Sequence, residues 1–372
     1  MKEIPAISVI IPLYNVEQYV GECLYSLLAQ TFQNFEVIVV DDCSTDSSVE
    51  VVESYVPKFD GRLKLYSMEK KSNGGGSLPR NKGLEFSHGK YIYFMDGDDA
   101  IITTAFDELY KIAEEFAADV VHCEKFYKVP DEIWHDEQKR SQLKPDNHFL
   151  EGRLNVTKPT LLSCDINNRV SMFAAKKLIW NFWAQLIRRN FIIENDISLP
   201  DAAAQDMVFT MCELCCAQRY VIVPNVINFY RVRENSVSTE KISDTVRLHK
   251  WINTVKLSIR QLDNFLNKID KFSNRTDLKY ALFDMLARQM LEGLDPIYLK
   301  IRGFEIDEFL RNEFKEGDNV ALTAFIFNSW NMQRLILRKH KDEFTRFNSF
   351  AVAAQNRIAE LENEIKRLKN KE

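Results

Sequence analysis

Apolar residues in the first hundred positions follow two periods in turn, one typical of strands and one typical of helices. The predicted strands are 7–14, 35–42, 63–67 and 91–95, and the predicted helices are 16–30, 49–56 and 79–87. The first two strands are apolar throughout rather than alternating, which is typical of a parallel sheet covered on both faces. We therefore predict an α/β fold in which strand and helix alternate.

Acidic residues stand at the ends of two predicted strands. Asp41 and Asp42 end the second strand, and Asp96, Asp98 and Asp99 follow the fourth. Ligands of such sheets bind outside the carboxyl ends of the strands, so both groups should project into one crevice. Facing acids repel one another unless positive charge lies between them, and a divalent cation with a phosphate supplies that charge. Helix capping by the same acids is the alternative interpretation.

Composition narrows the classes of function. The net charge of -5 gives no whole-chain attraction to nucleic acid, so we predict no nucleic-acid partner. No stretch approaches the roughly 20 apolar residues of a membrane-spanning helix. The N-terminus lacks a signal-peptide cleavage site, and seven dispersed cysteines suit reduced thiols. We therefore expect a cytoplasmic protein.

Two nucleotide-binding motifs are absent from the sequence. The loop KSNGGGSLPR lacks the Gly-Lys-Ser/Thr ending of a P-loop, and no Gly-x-Gly-x-x-Gly follows the first strand. The acidic stretch DGDD also lacks the ligand spacing of a helix-loop-helix calcium site. These patterns argue against a P-loop NTPase and a dinucleotide-dependent dehydrogenase.

Six segments, in this order, resemble the family 2 inverting glycosyltransferases of bacterial surface-glycan type, which have the GT-A fold. They are ISVIIPLYNVEQYVGECLYSLLAQTFQNFEVIVVDDCSTDSS (7–48), GGGSLPRNKGL (74–84), YFMDGDDAI (93–101), WNFWAQLIRRNFI (180–192), AQDMVF (204–209) and YRVRENSVS (230–238). The resemblance covers roughly residues 7–240. It implies a Rossmann-like, mostly parallel sheet flanked by helices and a nucleotide-sugar donor.

The resemblance assigns four residues to the nucleotide. Pro12 and Tyr14 would frame the base, and Asp42 would accept a hydrogen bond from the ring N–H of uracil. Arg80 would face the diphosphate or the base, where a planar guanidinium that is always charged is useful. UDP is therefore the expected nucleotide.

The resemblance also assigns a metal and a phosphate site. Asp96 and Asp98 would form an Asp-x-Asp motif, with Asp98 on Mn²⁺ or Mg²⁺ and Asp96 near the metal or the ribose. Arg231 and Arg233 would face the diphosphate, which suits guanidinium groups. A solvated loop is the alternative for the two arginines.

The acceptor side of the site is implied by the dipeptide Gln205-Asp206, which matches an acidic pair in the family. Asp206 would be the catalytic base, with helix capping as its alternative and Asp201 as a fallback. Gln205 departs from the family because an amide cannot carry the charge of the usual first acid. Trp180 and Trp183 are candidates for stacking on acceptor sugar rings, with burial in the core as the alternative.

The last third is predicted to be helical. Apolar faces at 246–269, 278–294 and 319–337 indicate a helical appendage, and the basic residues after the third segment suit either membrane-surface contact or core packing. Heptad spacing near the C-terminus predicts a coiled coil that joins protomers, or else a single packed helix. The predicted divisions are 1–125 (donor half), 126–240 (acceptor half), 241–345 (helical appendage) and 346–372 (coiled coil).

The sequence thus predicts a metal-dependent glycosyltransferase that acts from a nucleotide sugar on a glycan or lipid-linked acceptor, with possible contact at the inner membrane face. A catalytically silent nucleotide- or sugar-binding subunit that oligomerises through its C-terminal helix is the alternative. A nucleotidyltransferase would usually carry a Gly-rich, basic loop after the first strand, and PLYNVEQYV has none.

Overall fold

The computed structural model describes residues 4–72, 75–145, 154–202, 205–234 and 243–292. The described residues up to Met290 group into one compact unit. The predicted divisions at 125, 240 and 345 remain predictions. The apolar segment 319–337 and the heptad segment 346–372 lie outside the described residues.

One nine-stranded sheet organises the part of the chain that the structure describes. Its strands are β1 (Ile7–Leu13), β2 (Phe35–Asp41), β3 (Leu63–Ser67), β4 (Tyr91–Phe94), β5 (Ala100–Ile101), β6 (Val120–Pro130), β7 (Thr160–Leu161), β8 (Gln185–Arg188) and β9 (Tyr220–Val232). Their order is β3-β2-β1-β4-β8-β6-β9-β5, and β7 pairs with β9. The predicted α/β class is confirmed.

Strand β1 lies between β2 and β4 and runs parallel to both. Every residue of β2 and β4 is buried, as expected for strands covered on both faces. The carboxyl ends of β2 and β4 therefore flank that of β1. The two acidic groups that follow these strands face a common edge, as the sequence predicted.

The second half of the sheet is mixed. Strand β8 pairs antiparallel to both β4 and β6, and β6 runs parallel to β9 along most of its length. The short strand β5 pairs antiparallel to β9, with Ala100 opposite Phe229. This pairing brings the acidic loop before β5 beside the last residues of β9.

The helices are α1 (Val20–Leu28), α2 (Ser48–Tyr55), α3 (Ser77–Phe86), α4 (Ala105–Glu115), α5 (Glu137–Arg140), α6 (Ile166–Ala174), α7 (Arg189–Glu194), α8 (Gln205–Cys216), α9 (Asp244–Asn267) and α10 (Thr276–Glu292). Helix α3 packs tightly on β1, because a Cβ at Gly83 would collide with the Ile10 side chain. In the described part of the chain, no helix has the length and apolar character needed to cross a bilayer.

Helix α1 begins later than the apolar spacing predicts. The residues before it form a turn in which the Val16 amide donates to Ser48 Oγ at 2.8 Å and the Glu17 amide donates to Asp46 Oδ2 at 3.1 Å. The loop after β2 therefore fixes this segment, and α1 begins only at Val20.

Candidate active site

The predicted nucleotide pocket begins at the end of β2. The buried carboxylate of Asp42 accepts hydrogen bonds from the Ser72 amide at 2.8 Å and from Ser72 Oγ at 2.5 Å. Tyr14 is exposed, and Lys71 Nζ lies 3.5 Å from its ring centroid. Pro12 lies at the end of β1 against Gly76. Pro12, Tyr14 and Asp42 thus lie at or just after the carboxyl ends of β1 and β2, and their contact with a nucleotide stays a prediction.

Three acids cluster in the loop between β4 and β5. Asp96 pairs with Arg80, and Asp98 Oδ2 accepts from Arg233 Nε at 2.7 Å. Asp99 is 2% exposed, and its Oδ2 has no hydrogen-bond partner among the described residues.

Burial is the main electrostatic influence on two of these acids. Burial, with the negative charge of Asp96 next, raises the pKa of Asp98. Burial, with the charges of Asp98 and Asp96 next, raises the pKa of Asp99 well above its ordinary value. The loop therefore favours added positive charge.

Arg231 is buried in a network that joins three segments. Its Nε donates to the Asp98 carbonyl at 3.1 Å and its Nη1 to Asp131 Oδ1 at 3.0 Å. Its Nη2 donates to Glu22, and its guanidinium lies 3.6 Å from the Trp134 ring centroid. Arg231 is 4% exposed, so this network encloses it beside the predicted phosphate site.

Arg80 links the acidic loop to helix α8. Its Nη2 donates to Asp96, and its Nη1 donates to the Gly75 carbonyl at 2.5 Å. The Gln205 amide donates to the same carbonyl. The predicted donor and acceptor sides of the site are therefore joined by direct contacts.

Asp206 lies in the first turn of α8 and is half-buried. Burial raises the pKa of Asp206 to about 6, although the Met207 amide and the charge of Arg80 oppose the shift. The fallback residue Asp201 lies before α8, with Oδ1 3.5 Å from Ser77 Oγ. A carboxyl with this pKa is a stronger base than an ordinary Asp and is still mostly ionised at pH 7.

Trp180 and Trp183 are 7% and 8% exposed. Trp183 stacks on Tyr230, with ring centroids 5.5 Å apart, and Trp180 packs edge-on against Phe173. This packing agrees with the core alternative, and their contact with acceptor sugars stays a prediction.

The acidic loop fits a divalent cation. Asp96 and Asp98 offer the hard oxygen ligands that Mn²⁺ and Mg²⁺ prefer, and both carboxylates already face an arginine. Within the described residues, no group of three or more His, Cys, Asp or Glu side chains could hold a metal by itself. A cation here would thus take further ligands from phosphate or water.

Sequence reasoning missed the partners of the predicted residues. Glu22 and Asp131 are 209 and 100 positions away from Arg231, and Trp134 belongs to no recognised motif. Ser72, the partner of Asp42, also follows no pattern. These contacts depend on packing, and no linear signal marked them.

The known proteins that this chain resembles in sequence are glycosyltransferases. The family model for glycosyl transferase family 2 matches residues 8–174. The uncharacterized glycosyltransferase EpsJ of Bacillus subtilis (strain 168) is 32% identical over 241 residues, which cover 63% of this chain and 63% of EpsJ. The poly(ribitol-phosphate) beta-N-acetylglucosaminyltransferase TarS of Staphylococcus aureus (strain MW2) is 29% identical over 252 residues, 65% of this chain and 39% of TarS. The chain thus spans less than two thirds of either relative.

A solved structure shares the fold. The crystal structure of S. aureus TarS 1-349 in complex with UDP superposes with a TM-score of 0.58 at 23% identity, covering 82% of this chain and 78% of that one. This likeness confirms the predicted fold class.

Proposed function

We propose that this chain, whose residues 8–174 match the family model for glycosyl transferase family 2, is a metal-dependent inverting glycosyltransferase that uses a UDP-sugar. The acceptor would be a hydroxyl of a glycan or lipid-linked saccharide. The observation that carries the proposal is the position of three acids: Asp42 and Asp98 follow the two strands that flank β1, and Asp206 is close enough to Arg80 and Asp96 for their charges to act on it. Each is a carboxylate, and each environment suits a different task.

Asp42 would recognise the base. An ionised carboxylate has about four acceptor positions, and Ser72 uses two of those on Asp42. The remaining positions can accept the ring N–H of uracil. The Ser72 contacts also fix the carboxylate in place before the nucleotide arrives.

The basic side chains would hold the leaving diphosphate. Arg233 already pairs with Asp98, and charge-assisted hydrogen bonds from guanidinium groups suit phosphate oxygens. When bound at Asp98 and Asp96, Mn²⁺ or Mg²⁺ would supply Lewis-acid stabilisation of negative charge on the diphosphate.

Asp206 would remove the acceptor proton. The attacking hydroxyl must lose that proton as it bonds to the anomeric carbon, and attack from the face opposite the diphosphate inverts the configuration. The charges of Arg80 and Asp96 act on the Asp206 carboxyl. Asp206 is therefore close to the proposed donor site, which supports this role. General bases of this kind contribute typically 10² to 10⁴ in rate.

The proposed setting is the cytoplasm, with contact at the inner face of the membrane where lipid-linked acceptors are present. All seven cysteines are free, which suits a reducing compartment. Sequence similarity to TarS, which by its name acts on poly(ribitol-phosphate), supports a surface-glycan acceptor. Oligomerisation through residues 346–372 is part of the same proposal.

Calorimetric titration tests the proposal directly. UDP, with GDP and CDP as controls, is titrated into the full chain with and without Mn²⁺. We expect UDP to bind preferentially and only in the presence of metal. Absence of binding by every nucleotide would contradict the proposal and favour the silent-subunit alternative.

A further inference from the structure

The amide of Gln205 occupies an unusual place between the two halves of the site. Gln205 is 6% exposed, and its Nε2 donates to the Gly75 carbonyl. Arg80 Nη1 donates to the same oxygen, and Arg80 Nη2 donates to Asp96. A continuous chain of contacts thus runs from the first residue of α8 to the proposed metal site.

The residue that carries the shared carbonyl, Gly75, has little room for a side chain. Gly75 has a φ of +65°, and a Cβ there would collide with Gln205 Nε2. A carbonyl oxygen has two lone pairs, so the two donors account for its capacity. The positive φ favours glycine at position 75, and a Cβ there would also displace the Gln205 amide.

The chain of contacts needs an amide at position 205. A carboxylate has no hydrogen to donate and would face the Gly75 oxygen as a second acceptor. It would also add negative charge close to Asp206, whose pKa burial already raises. The departure from the family's usual acid at this position therefore has a physical reason in this chain.

We propose that Gln205 is a positioning residue that fixes the base Asp206 relative to Asp96 through Gly75 and Arg80. The assignment of Asp206 as base rests on the proposed function, but the chain of contacts does not. Gln205 sets where the base stands with respect to the donor without contacting the reacting atoms.

Hydrogen exchange in the nucleotide-free protein tests the chain of contacts. Gln205→Met keeps the length of the side chain and removes its donor, and Gln205→Glu also removes the donor while adding a charge. In both variants, exchange should rise about fivefold, the factor for one lost hydrogen bond, in peptides 75–84 and 91–99 as well as in α8. Circular dichroism establishes that the variants are folded.

Gln261→Met is the matched control. Gln261 Nε2 also donates to a backbone carbonyl, that of Ser198, at 2.8 Å, but this contact lies outside the chain of contacts. The control should leave exchange at 91–99 unchanged. If exchange in the Gln205 variants rises only within α8, the proposed coupling is wrong.

Nucleotide affinity separates this proposal from the proposed function. We expect the Gln205 variants to bind UDP with Mn²⁺ about fivefold more weakly, and kcat to fall more than the KM for the acceptor changes, because a displaced base impairs the chemical step. Unchanged UDP affinity and kcat would overturn the positioning role. If the wild-type protein binds no nucleotide, the proposed function fails, and the exchange experiment still decides the coupling.

Discussion

At the scale of single residues, three carboxylates with different proposed roles lie in different environments. Asp42 is held by two hydrogen bonds from Ser72, Asp98 is paired with Arg233, and Asp206 lies beside Arg80 without a direct ion pair. The same functional group can therefore recognise a base, bind a cation or accept a proton, depending on its partners.

Asp206→Asn should abolish transfer, with a loss of about 10² to 10⁴ in kcat, while UDP affinity with Mn²⁺ is unchanged. In the wild-type protein, kcat/KM should fall tenfold per pH unit below about 6, since burial raises the pKa of Asp206 to about 6 and only the carboxylate accepts a proton.

The stability of Asp206→Asn provides an independent check. A raised carboxyl pKa stabilises the fold below the pKa of the unfolded chain, and this stabilisation is lost as pH rises through about 6. The Asn variant should therefore gain thermal stability relative to wild type at pH 8. Near wild-type turnover in this variant would move the base elsewhere, with Asp201 as the next candidate.

Asp98→Ala should lose metal-dependent UDP binding and remain folded. Asp98 is the proposed metal ligand, and its removal relieves repulsion with Asp96 and removes the ion pair with Arg233. Calorimetry with Mn²⁺ measures the loss, and Asp277→Ala, which removes an exposed acid paired with Arg275, is the control. Unchanged Mn²⁺-dependent affinity would rule out this ligand.

At the scale of elements, helix α8 is fixed at both ends. Gln205 anchors its first turn to Gly75. Arg169, which is 2% exposed, donates from Nη1 to the Leu214 carbonyl at 3.1 Å and to the Ala217 carbonyl near the other end. Helix α8, which carries the proposed base, is thus held at one end by its own buried Gln205 and at the other by the buried Arg169 of α6.

Arg169→Met should lower the free energy of unfolding by about 3 kcal/mol, because it leaves buried carbonyl groups without donors. Urea denaturation measures the change. Arg219→Met is the control, since exposed Arg219 also donates to a backbone carbonyl, that of Phe116, and its removal should cost less than about 0.5 kcal/mol. Equal losses in the two variants would contradict the capping role of Arg169.

Elements were predicted best where the pattern is local. Strand β3 coincides with the predicted 63–67, and β4 differs from the predicted 91–95 by one residue. Every residue of β4 is buried, so its apolar run marks the strand without help from distant residues. The start of α1 was missed because hydrogen bonds from Ser48 and Asp46, which no periodicity records, set the turn before it.

At the scale of the whole molecule, Arg231 ties distant parts of the chain together. It joins α1 through Glu22, the turn after β6 through Asp131, and the acidic loop through the Asp98 carbonyl. These segments meet only after β9 has paired with β5 and β6.

Arg231→Lys should lower the free energy of unfolding by about 2 kcal/mol, because a single ammonium cannot serve three partners in a planar fork. Arg275→Lys, in an exposed pair with Asp277, should lower the free energy of unfolding less than Arg231→Lys does, because water screens an exposed ion pair. Urea denaturation compares the two. A loss at Arg231 no larger than that at Arg275 would mean that the network does not hold the fold.

By itself, the sequence determined strands β1 to β4, their parallel arrangement and the edge at which acids collect. Apolar runs and the residues that end them are local features, and burial makes them decisive. Only the tertiary structure decided the partners of Arg231 and the meeting of Gln205 with Gly75, 130 positions apart. Such contacts depend on how strands from the two halves of the sheet pair. Each contact joins residues that are far apart in the chain, so no local sequence pattern records it before packing brings them together.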